Sequence, residues 1–461
     1  MCGIFGVRGS SDAAKLVHLG LYSLQHRGQE SAGIVAVDDA GTGRAVRSMG
    51  LVSEGLNTSR LRELTGRLAL GHTRYSTAGS STIENAQPML VRFRGGYISL
   101  AHNGNLINAT ELRRELEDEG SIFNSTMDSE VLVHRMARSD AERPEDRLAA
   151  ALRGLEGAYS LVVASGDTLM AARDPRGWRP LVIGALGNAV VFASETCALD
   201  IVGATYLRDV QPGEIVVADD RGMHTTHALE PLSQRRCVFE FVYFARPDSR
   251  IFDGGSVDRA RRAFGRQLGK EAPAPSADLV FGVPDSANAA ALGYAEETGL
   301  PLEFALIRNH YVGRTFIQPS QEGRDHKVKV KYNAVREVLD GKRVVMVDDS
   351  IVRGTTTRGL VQMVRAAGAR EVHMRIASPP VTGPCYYGID TPSREELIAA
   401  NFSVDEIARH LGVDSLGYLS LDGMLAAAPG GPGGFCHACF SGDYPTPPPT
   451  DPDKLRFGCG C

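Results

Sequence analysis

The chain has 461 residues, 43% of them hydrophobic and 23% charged, which is typical of a soluble globular protein with more than one domain. Its 50 basic and 55 acidic residues give a net charge of -5, so the charge balance gives no indication of binding to nucleic acid or to an anionic membrane. No apolar run reaches transmembrane length and MCGIFGVRG lacks the features of a signal peptide, so we expect a cytoplasmic protein whose eight cysteines serve catalysis or metal binding rather than disulfides.

The first element is an apolar strand, CGIFGV, which starts at Cys2 directly after Met1. If Met1 is removed, the thiol and the α-amine of Cys2 belong to one residue. That amine has an ordinary pKa near neutrality and can act as the base for the thiol nucleophile. A cysteine at this position is, on its own, more simply a small buried residue. The interpretation as a nucleophile therefore depends on the motifs that follow.

Three polar motifs flank the next predicted strands. HRGQESAGI at 26–34 precedes the strand GIVAV, whereas GHTRYSTAG at 71–79 and HNGNL at 102–106 follow apolar stretches. The side-chain amide of Asn103 and the backbone N–H of Gly104 can form an oxyanion hole. Arg74 is suited to a carboxylate and Asp128 to an ammonium group, which are the two charged groups of a free amino acid. Turn formation, surface ion pairing and helix capping are the alternatives for each residue alone. Together with Cys2, they favour an amino-acid site.

These residues resemble the glutaminase domain of the class II glutamine amidotransferases, which are N-terminal nucleophile hydrolases. The resemblance implies an α+β fold, a four-layer αββα sandwich, in which Cys2 attacks the side-chain amide of glutamine and releases ammonia. It also implies that Arg74 and Asp128 bind the charged groups of glutamine. In the same family Asn103 and Gly104 would stabilise the tetrahedral oxyanion.

The pattern of predicted elements changes near residue 236. Between 158 and 217, short β-type runs separated by Gly, Asp and Pro predict antiparallel hairpins of the sandwich. From about Arg236, strands alternate with helices, which indicates βαβ units and a parallel sheet. We therefore predict a glutaminase domain at 2–235, an α/β domain with Cys-rich segments at 236–445, and a flexible Pro/Gly/Cys tail at 446–461.

The stretch VVMVDDSIVRGTTT, residues 344–357, predicts a phosphate site in the second domain. A buried parallel strand at 343–347 ends in Asp348 and Asp349, and a helical pattern begins after the threonines. In open α/β sheets ligands lie outside the carboxyl ends of strands, and a helix N-terminus binds anions. The two aspartates suit ribose hydroxyls or Mg²⁺. A phosphorylated ribose therefore supplies both a phosphate for the helix N-terminus and hydroxyls for the aspartates. An acidic turn that caps a helix is the alternative, and the lack of GxxxxGK[ST] excludes an ATP-type loop.

This stretch resembles the loop of type I phosphoribosyltransferases that binds phosphoribosyl pyrophosphate (PRPP). The resemblance implies PRPP contacts from Asp348, Asp349, Ser350, Arg353, Gly354, Thr355, Thr356 and Thr357. Ser286 follows the strand ADLVFGV and is either a helix N-cap or a hydroxyl presented to a ligand. Its segment resembles the pyrophosphate loop of the same fold, which favours a Mg²⁺ site formed by Ser286 with the two aspartates.

A basic segment, NHYVGRTFIQPSQEGRDHKVKVK, lies at 309–331. Such a run is usually a solvated surface, but beside a diphosphate site it predicts a lid that closes over substrate and excludes water. The resemblance implies a loop that folds over PRPP and helps to form an ammonia channel. We expect Arg314 and Lys331 to contact PRPP, and closure of 313–333 to couple the two sites.

Four cysteines remain: Cys237, Cys385, Cys436 and Cys439. A CxxC with two distant cysteines can bind zinc or an iron-sulfur cluster, and spacing alone favours zinc. The surrounding segments, however, resemble those that ligate a [4Fe-4S] cluster in the iron-sulfur subclass of the amidophosphoribosyltransferases, also called glutamine PRPP amidotransferases. We interpret Cys459 and Cys461 as part of the tail.

From Cys2 to about Thr446 the chain resembles this family as a whole. The resemblance implies formation of 5-phosphoribosylamine, diphosphate and glutamate from PRPP, glutamine and water, the first step of purine biosynthesis. It also implies a homotetramer with allosteric inhibition by purine nucleotides. Only Met1 precedes Cys2, so we expect that Met1 removal alone completes maturation.

Other functions remain open. A sugar-phosphate amidotransferase would lack the stretch at 344–357, and an asparagine synthetase would need an ATP pyrophosphatase loop that the chain does not show. A PRPP-sensing regulatory protein with an inactive glutaminase domain is the alternative from a different class. Retention of Met1 in the mature protein would favour that alternative.

Overall fold

The structure is a computed structural model of the chain and describes residues 1–75, 79–309 and 330–449. The strands of its first half are β1 Gly3–Arg8, β2 Ser31–Val37, β3 Gly43–Met49, β4 Leu68–Arg74, β5 Met89–Phe93, β6 Gly96–Leu106, β7 Gly157–Ser165, β8 Thr168–Arg173, β9 Val182–Leu186, β10 Ala189–Ala193, β11 Thr205–Asp209, β12 Glu214–Asp219 and β13 Gly222–His227. The helices of that half are α1 Ala13–Ser23, α2 Val52–Gly55, α3 Thr58–Leu61, α4 Ala109–Asp118, α5 Glu130–Arg138, α6 Pro144–Leu152 and α7 Thr196–Val202.

The first half is a four-layer sandwich of two antiparallel sheets between helices. One sheet has the order β11-β9-β10-β1-β4-β2-β3 and the other β13-β12-β8-β7-β6-β5. Apolar side chains of both sheets, such as Ile4 and Val162, form one core between them. Helices α1 and α7 pack on the outer face of the first sheet, and α5 and α6 cover the second. The central strands thus bury both faces, which explains the nearly continuous burial of β1, β2 and β7.

The second half has strands β14 Arg236–Cys237, β15 Arg250–Ile251, β16 Gly255–Ser256, β17 Leu279–Gly282, β18 Leu306–Arg308, β19 Tyr332–Ala334, β20 Arg343–Asp348, β21 Glu371–Ile376, β22 Ser415–Tyr418 and β23 Phe435–Cys436. Its helices are α8 Val257–Glu271, α9 Asn288–Thr298, α10 Arg336–Leu339, α11 Thr355–Ala366, α12 Ile398–Asn401, α13 Val404–Leu411, α14 Leu421–Ala427 and α15 Ala438–Ser441.

The centre of this half is a parallel sheet with the order β17-β20-β21-β22. Helices α8 and α9 pack on one face, where Phe264 and Tyr294 meet Val345. Helices α11 and α13 pack on the other face, where Leu360 and Ile407 meet Met346. The predicted strand at 343–347 therefore lies inside the sheet and ends one residue later than expected.

The structure does not support the capping roles that were the alternatives for Ser286 and Asp128. Helix α9 begins at Asn288 and its N-cap is Ala287, so Ser286 lies outside the helix. Helix α5 begins at Glu130 with Ser129 as its N-cap, so Asp128 does not occupy that position either. In the described ranges, no helix combines the length and the apolar character needed to cross a bilayer.

Candidate active sites

Cys2 lies at the start of β1, where the pairing with β4 brings it next to Arg74 and Tyr75. Gly3 is paired with Thr73, and the Sγ atom of Cys2 is 3.7 Å from the carbonyl oxygen of Tyr75. The side chain is almost fully buried. Strand pairing thus fixes the backbone of the predicted nucleophile between two central strands of the sheet.

The predicted oxyanion residues are beside Cys2. The backbone N–H of Cys2 donates to Oδ1 of Asn103 over 3.1 Å. The amide nitrogen Nδ2 of Asn103 is buried and has no hydrogen-bond partner among the described residues. Gly104 has a φ of 155°, and a Cβ there would lie 1.9 Å from the carbonyl oxygen of Ala158, so only glycine fits. A buried donor without a partner is costly, and a substrate oxygen would satisfy it.

Arg74 and Asp128 are buried and already have partners in this structure. Arg74 forms an ion pair with Glu30 and donates to the carbonyl of Ser80 over 3.0 Å. The carboxylate of Asp128 accepts from the backbone N–H groups of Leu106 and Ser129, each over 2.8 Å. Strand pairing places Arg74 beside Cys2, and Asp128 contacts the end of β6, the strand that carries Asn103. The binding of both residues to glutamine stays a prediction.

Two buried histidines lie in the same region, and their pKa values are shifted in opposite directions. Burial lowers the pKa of His72 to about 3, and its Nε2 atom contacts the carbonyl of His102 at 3.0 Å. Burial alone would lower the pKa of His102, but the Asp128 carboxylate, 3.6 Å from its Nδ1 atom, and the carbonyl of Ala158 act together with other contacts to raise that pKa on balance. His72 is therefore neutral, whereas the imidazole of His102 lies beside the carboxylate of Asp128.

A buried ionic network contacts the backbone carbonyl of Cys2. Nε of Arg27 donates to the carbonyl of Cys2 over 2.9 Å, and the same guanidinium pairs with Glu195 at 2.5 Å and Glu240 at 2.8 Å. All three charged side chains are fully buried. Burial acts to raise the pKa of Glu195, but His26 and Arg27 outweigh it and hold that pKa well below its usual range.

The second site lies at the carboxyl end of β20. Asp348 and Asp349 are both buried, and burial raises the pKa of each, with mutual repulsion adding to the rise at Asp348. Asp349 accepts from the hydroxyl of Ser286 over 2.5 Å and from that of Ser350 over 2.6 Å. The two strand ends β17 and β20 thus bring together two carboxylates and a hydroxyl, which are oxygen ligands of the kind that Mg²⁺ prefers.

The predicted phosphate loop opens helix α11. Gly354 is the N-cap, with a φ of 77°, and the first turn has no side-chain cap hydrogen bond. Thr355 and Thr356 are exposed there, whereas Thr357 is buried on the face of the helix that packs on the sheet. Arg353 pairs on the surface with Glu396 at 3.1 Å. The helix N-terminus therefore presents backbone N–H groups beside the aspartate pair.

Only the last part of the predicted lid is described. Lys331 is exposed, and its Nζ atom lies 5.2 Å from the ring centre of Tyr332. Residues 310–329, which include Arg314, Arg324, Lys327 and Lys329, lie outside the described residues, as do Cys459 and Cys461.

The four predicted ligand cysteines surround one cavity. Cys237, Cys385, Cys436 and Cys439 line it together with apolar groups that include Trp178, Pro384 and Ile389. Strands β14 and β23 pair in parallel and place Cys237 opposite Cys436. Burial raises the pKa of Cys237 to about 12 and that of Cys436 to about 11. Across the described ranges, however, no set of three or more His, Cys, Asp or Glu side chains is grouped as the ligands of one metal ion.

Comparison with known proteins identifies the family. A sequence model of the glutamine amidotransferase domain matches residues 72–200. The chain is 50% identical to the amidophosphoribosyltransferase of Bacillus subtilis strain 168 over 96% of its own length and 94% of the relative. It is 51% identical to the chloroplastic amidophosphoribosyltransferase 2 of Arabidopsis thaliana, over 99% of this chain and 81% of that protein. The chain belongs to the amidophosphoribosyltransferase family.

A solved structure supports the same assignment. The glutamine PRPP amidotransferase of B. subtilis complexed with ADP and GMP matches with a TM-score of 0.92 and 48% sequence identity, covering 98% of this chain and 99% of that chain. The predicted fold, an N-terminal nucleophile hydrolase sandwich followed by an α/β phosphoribosyltransferase domain, is thereby confirmed.

The sequence did not reveal every charged residue of this amidophosphoribosyltransferase site. Arg27 and Glu30 lie in the motif at 26–34 without an assigned role, and Glu195 and Glu240 carried no functional prediction. For Glu240 a signal was present, because a lone carboxylate within VFEFVYF must have a buried partner. Its partner Arg27, 213 residues away, is visible only in the structure.

Proposed function

We propose that the chain uses Cys2 to release ammonia from glutamine and uses this ammonia to convert PRPP into 5-phosphoribosylamine and diphosphate, the first step of purine biosynthesis. The observation that carries the proposal is the unpaired, buried Nδ2 atom of Asn103 beside Cys2, in a chain whose second half carries an aspartate pair at a helix N-terminus. One site activates an amide carbonyl and the other binds a phosphorylated ribose.

At the first site the Cys2 thiol attacks the glutamine amide carbon. The α-amine of Cys2, free after Met1 removal, takes the thiol proton and returns it to the departing nitrogen as ammonia leaves. An α-amine at Cys2 has an ordinary pKa near neutrality, so its neutral form is available to accept the thiol proton. Asn103 and Gly104 stabilise the oxyanion, and water then hydrolyses the thioester to glutamate.

At the second site, ammonia attacks C1 of the ribose and displaces diphosphate. The residues that would hold Mg²⁺ are Asp348, Asp349 and Ser286, and the buried, close carboxylates with raised pKa values fit a cation. When bound, Mg²⁺ supplies charge neutralisation for the departing diphosphate. The backbone of Ser350 to Thr357 would hold the ribose phosphate, with Arg314 and Lys331 closing from the lid.

We also propose that the four cysteines hold a [4Fe-4S] cluster rather than zinc. The four thiols share one apolar cavity. The segments around them resemble those that ligate a [4Fe-4S] cluster in the iron-sulfur subclass of the family, and this resemblance supports the cluster over zinc. Cys385 is followed by Tyr386, whose carbonyl accepts from Asn105 over 2.9 Å. A cluster held by Cys385 would therefore also support this contact between the two halves, in a structural or an oxygen-sensing role.

The domain division at 2–235, 236–445 and 446–461 is part of the proposal. Residues 228–235 contain no strand or helix and connect β13 to β14. The nucleotide inhibitors and a homotetramer are carried over from the family, in which the B. subtilis relative was solved with ADP and GMP.

The decisive assay follows diphosphate and glutamate in the purified protein. We expect glutamine-dependent and ammonia-dependent diphosphate release from PRPP, with one glutamate per diphosphate in the former, and a mature chain that starts at Cys2. PRPP binding without turnover in a protein that retains Met1 would instead support a regulatory protein. Iron and sulfide content with visible absorbance tests the cluster, and a colourless zinc protein would refute it.

A further inference from the structure

The backbone of Gly104, the second predicted oxyanion donor, lies against residues 385–388 of the second half, which we call the wall segment. A Cβ added at Gly388 would lie 2.8 Å from the carbonyl carbon of Gly104 and 2.9 Å from its Cα and carbonyl oxygen. Real Cβ atoms essentially never approach other atoms this closely, so a side chain at Gly388 would force one of the two backbones to move. The two glycine backbones therefore pack directly on each other.

The sheet and a side-chain hydrogen bond fix Gly104 against this segment. Strand β6 pairs with β7, and a Cβ at Gly104 would lie 1.9 Å from the carbonyl oxygen of Ala158 in β7. The next residue, Asn105, donates from Nδ2 to the carbonyl of Tyr386 over 2.9 Å. The Gly104 backbone is thus enclosed between β7 and the wall segment, and two successive residues of β6 contact that segment.

The wall segment is itself held by contacts at Tyr387. The ring of Tyr387 stacks on Trp178, with ring centres 4.5 Å apart and an interplanar angle of 18°. Its carbonyl accepts from Nε and Nη2 of the fully buried Arg179 over 3.0 and 2.5 Å. Its hydroxyl shares a hydrogen bond of 2.8 Å with the hydroxyl of Thr446. The ring, the carbonyl and the hydroxyl all have partners, so the backbone that meets Gly104 is held in one orientation.

We propose that Gly388 and Asn105 are positioning residues of the oxyanion hole, which hold the Gly104 peptide where its N–H meets the oxygen of the attacked amide. A preorganised donor stabilises the oxyanion only if it points at the position that this oxygen takes in the transition state. The second half of the chain thereby completes the glutamine site. This inference rests on the proposed function, because the oxyanion forms only when Cys2 attacks glutamine.

Gly388→Ala tests the contact with the Gly104 peptide. We expect kcat for glutamate release to fall by about 10- to 100-fold, less than the loss of about 10²- to 10³-fold for a donor that is removed altogether. The KM for glutamine stays unchanged, because the affected contact is made only in the transition state. Alkylation of Cys2 by iodoacetamide keeps its wild-type rate, since iodide leaves and no oxyanion forms. A merely structural disturbance would change all three quantities.

Two further variants make the test specific. Gly222→Ala is the matched control, because Gly222 has a φ of 96°, close to the 104° of Gly388, but open space where its Cβ would lie. We expect the wild-type kcat from it. Asn105→Ala removes the bond to Tyr386 and should lower kcat by about 2- to 10-fold, again with unchanged KM and alkylation rate. Diphosphate release with ammonia stays at the wild-type rate in all three variants.

A wild-type kcat in either folded positioning variant would overturn the proposal. So would a fall in kcat that is accompanied by a raised KM for glutamine and slower alkylation of Cys2. If Gly388→Ala does not fold, the Asn105→Ala result alone decides. Failure of the wild type to release glutamate from glutamine would instead count against the proposed function, so the two failures are distinguishable.

Discussion

Replacement of Asn103 by alanine is expected to slow glutamine hydrolysis while leaving the PRPP site intact. The substitution removes the unpaired donor Nδ2 and the acceptor Oδ1 that orients the Cys2 nitrogen over 3.1 Å. Loss of one oxyanion donor costs about 2.7–4 kcal/mol of transition-state stabilisation, and a lost hydrogen bond adds about 0.5–1.5 kcal/mol. These sum to a decrease in kcat for glutamate release of about 10²- to 10⁴-fold.

The assay measures glutamate release at saturating glutamine and PRPP, and diphosphate release with ammonia replacing glutamine. Asn108→Ala is the matched control, since its amide contacts only Gly154 and Glu156 near the surface, and we expect normal kcat from it. An Asn103→Ala enzyme with the wild-type kcat for glutamate release would refute the oxyanion assignment. Equal losses of the glutamine and ammonia reactions would show that the change is not local.

Further substitutions test other parts of the molecule. Arg27→Ala removes the guanidinium that two buried carboxylates share and leaves Glu195 with His26 at 2.8 Å and Glu240 with Arg179 at 3.6 Å. Denaturant titration should therefore show a loss of about 3–5 kcal/mol in the free energy of unfolding; an unchanged midpoint would contradict this. His72 has a folded pKa of about 3 because it is buried, and the unfolded histidine titrates near 6.5. Below pH 6.5 the unfolded chain binds the extra proton, so stability falls as pH decreases, by about 2 kcal/mol at pH 5. His72→Gln should flatten that part of the curve, and an identical slope would be inconsistent with a buried neutral imidazole. Asp349→Asn should abolish Mg²⁺-dependent diphosphate release with ammonia but preserve glutamate release without PRPP, and loss of both would argue against separate sites. Cys385→Ser should lose iron and visible absorbance, whereas a fully loaded variant would remove this cysteine from the ligand set.

The sequence predicted the features that local pattern encodes. The strand before Asp348 was predicted because an unbroken apolar run ends in a polar turn, and the structure places that run in the centre of a parallel sheet. Asn103 and Gly104 were predicted because polar residues follow the apolar run YISLA, and in the structure β6 continues through both of them to Leu106. Thr357, predicted to contact PRPP, is instead buried in the structure, in helical phase with Leu360 and Val364.

The sequence could not predict which charged groups meet in space. The contact of Arg27 with Glu195 joins residues 168 positions apart. Its bond to Glu240 crosses from one predicted domain to the other. Arg74 likewise was assigned to a substrate carboxylate, and in the structure it also pairs with Glu30. Such pairs depend on how the sandwich and the parallel sheet pack together, which no local periodicity records.

The central claim is that ammonia released at the glutamine site is used at a separate PRPP site, and Cys2→Ser tests this claim most directly. The measurement compares 5-phosphoribosylamine synthesis from glutamine and from ammonia in the same preparation. We predict that the variant loses synthesis from glutamine, because the thiol nucleophile is gone, and keeps synthesis from ammonia at the wild-type rate. Loss of both activities in a folded variant, or retention of the glutamine reaction, would contradict this account.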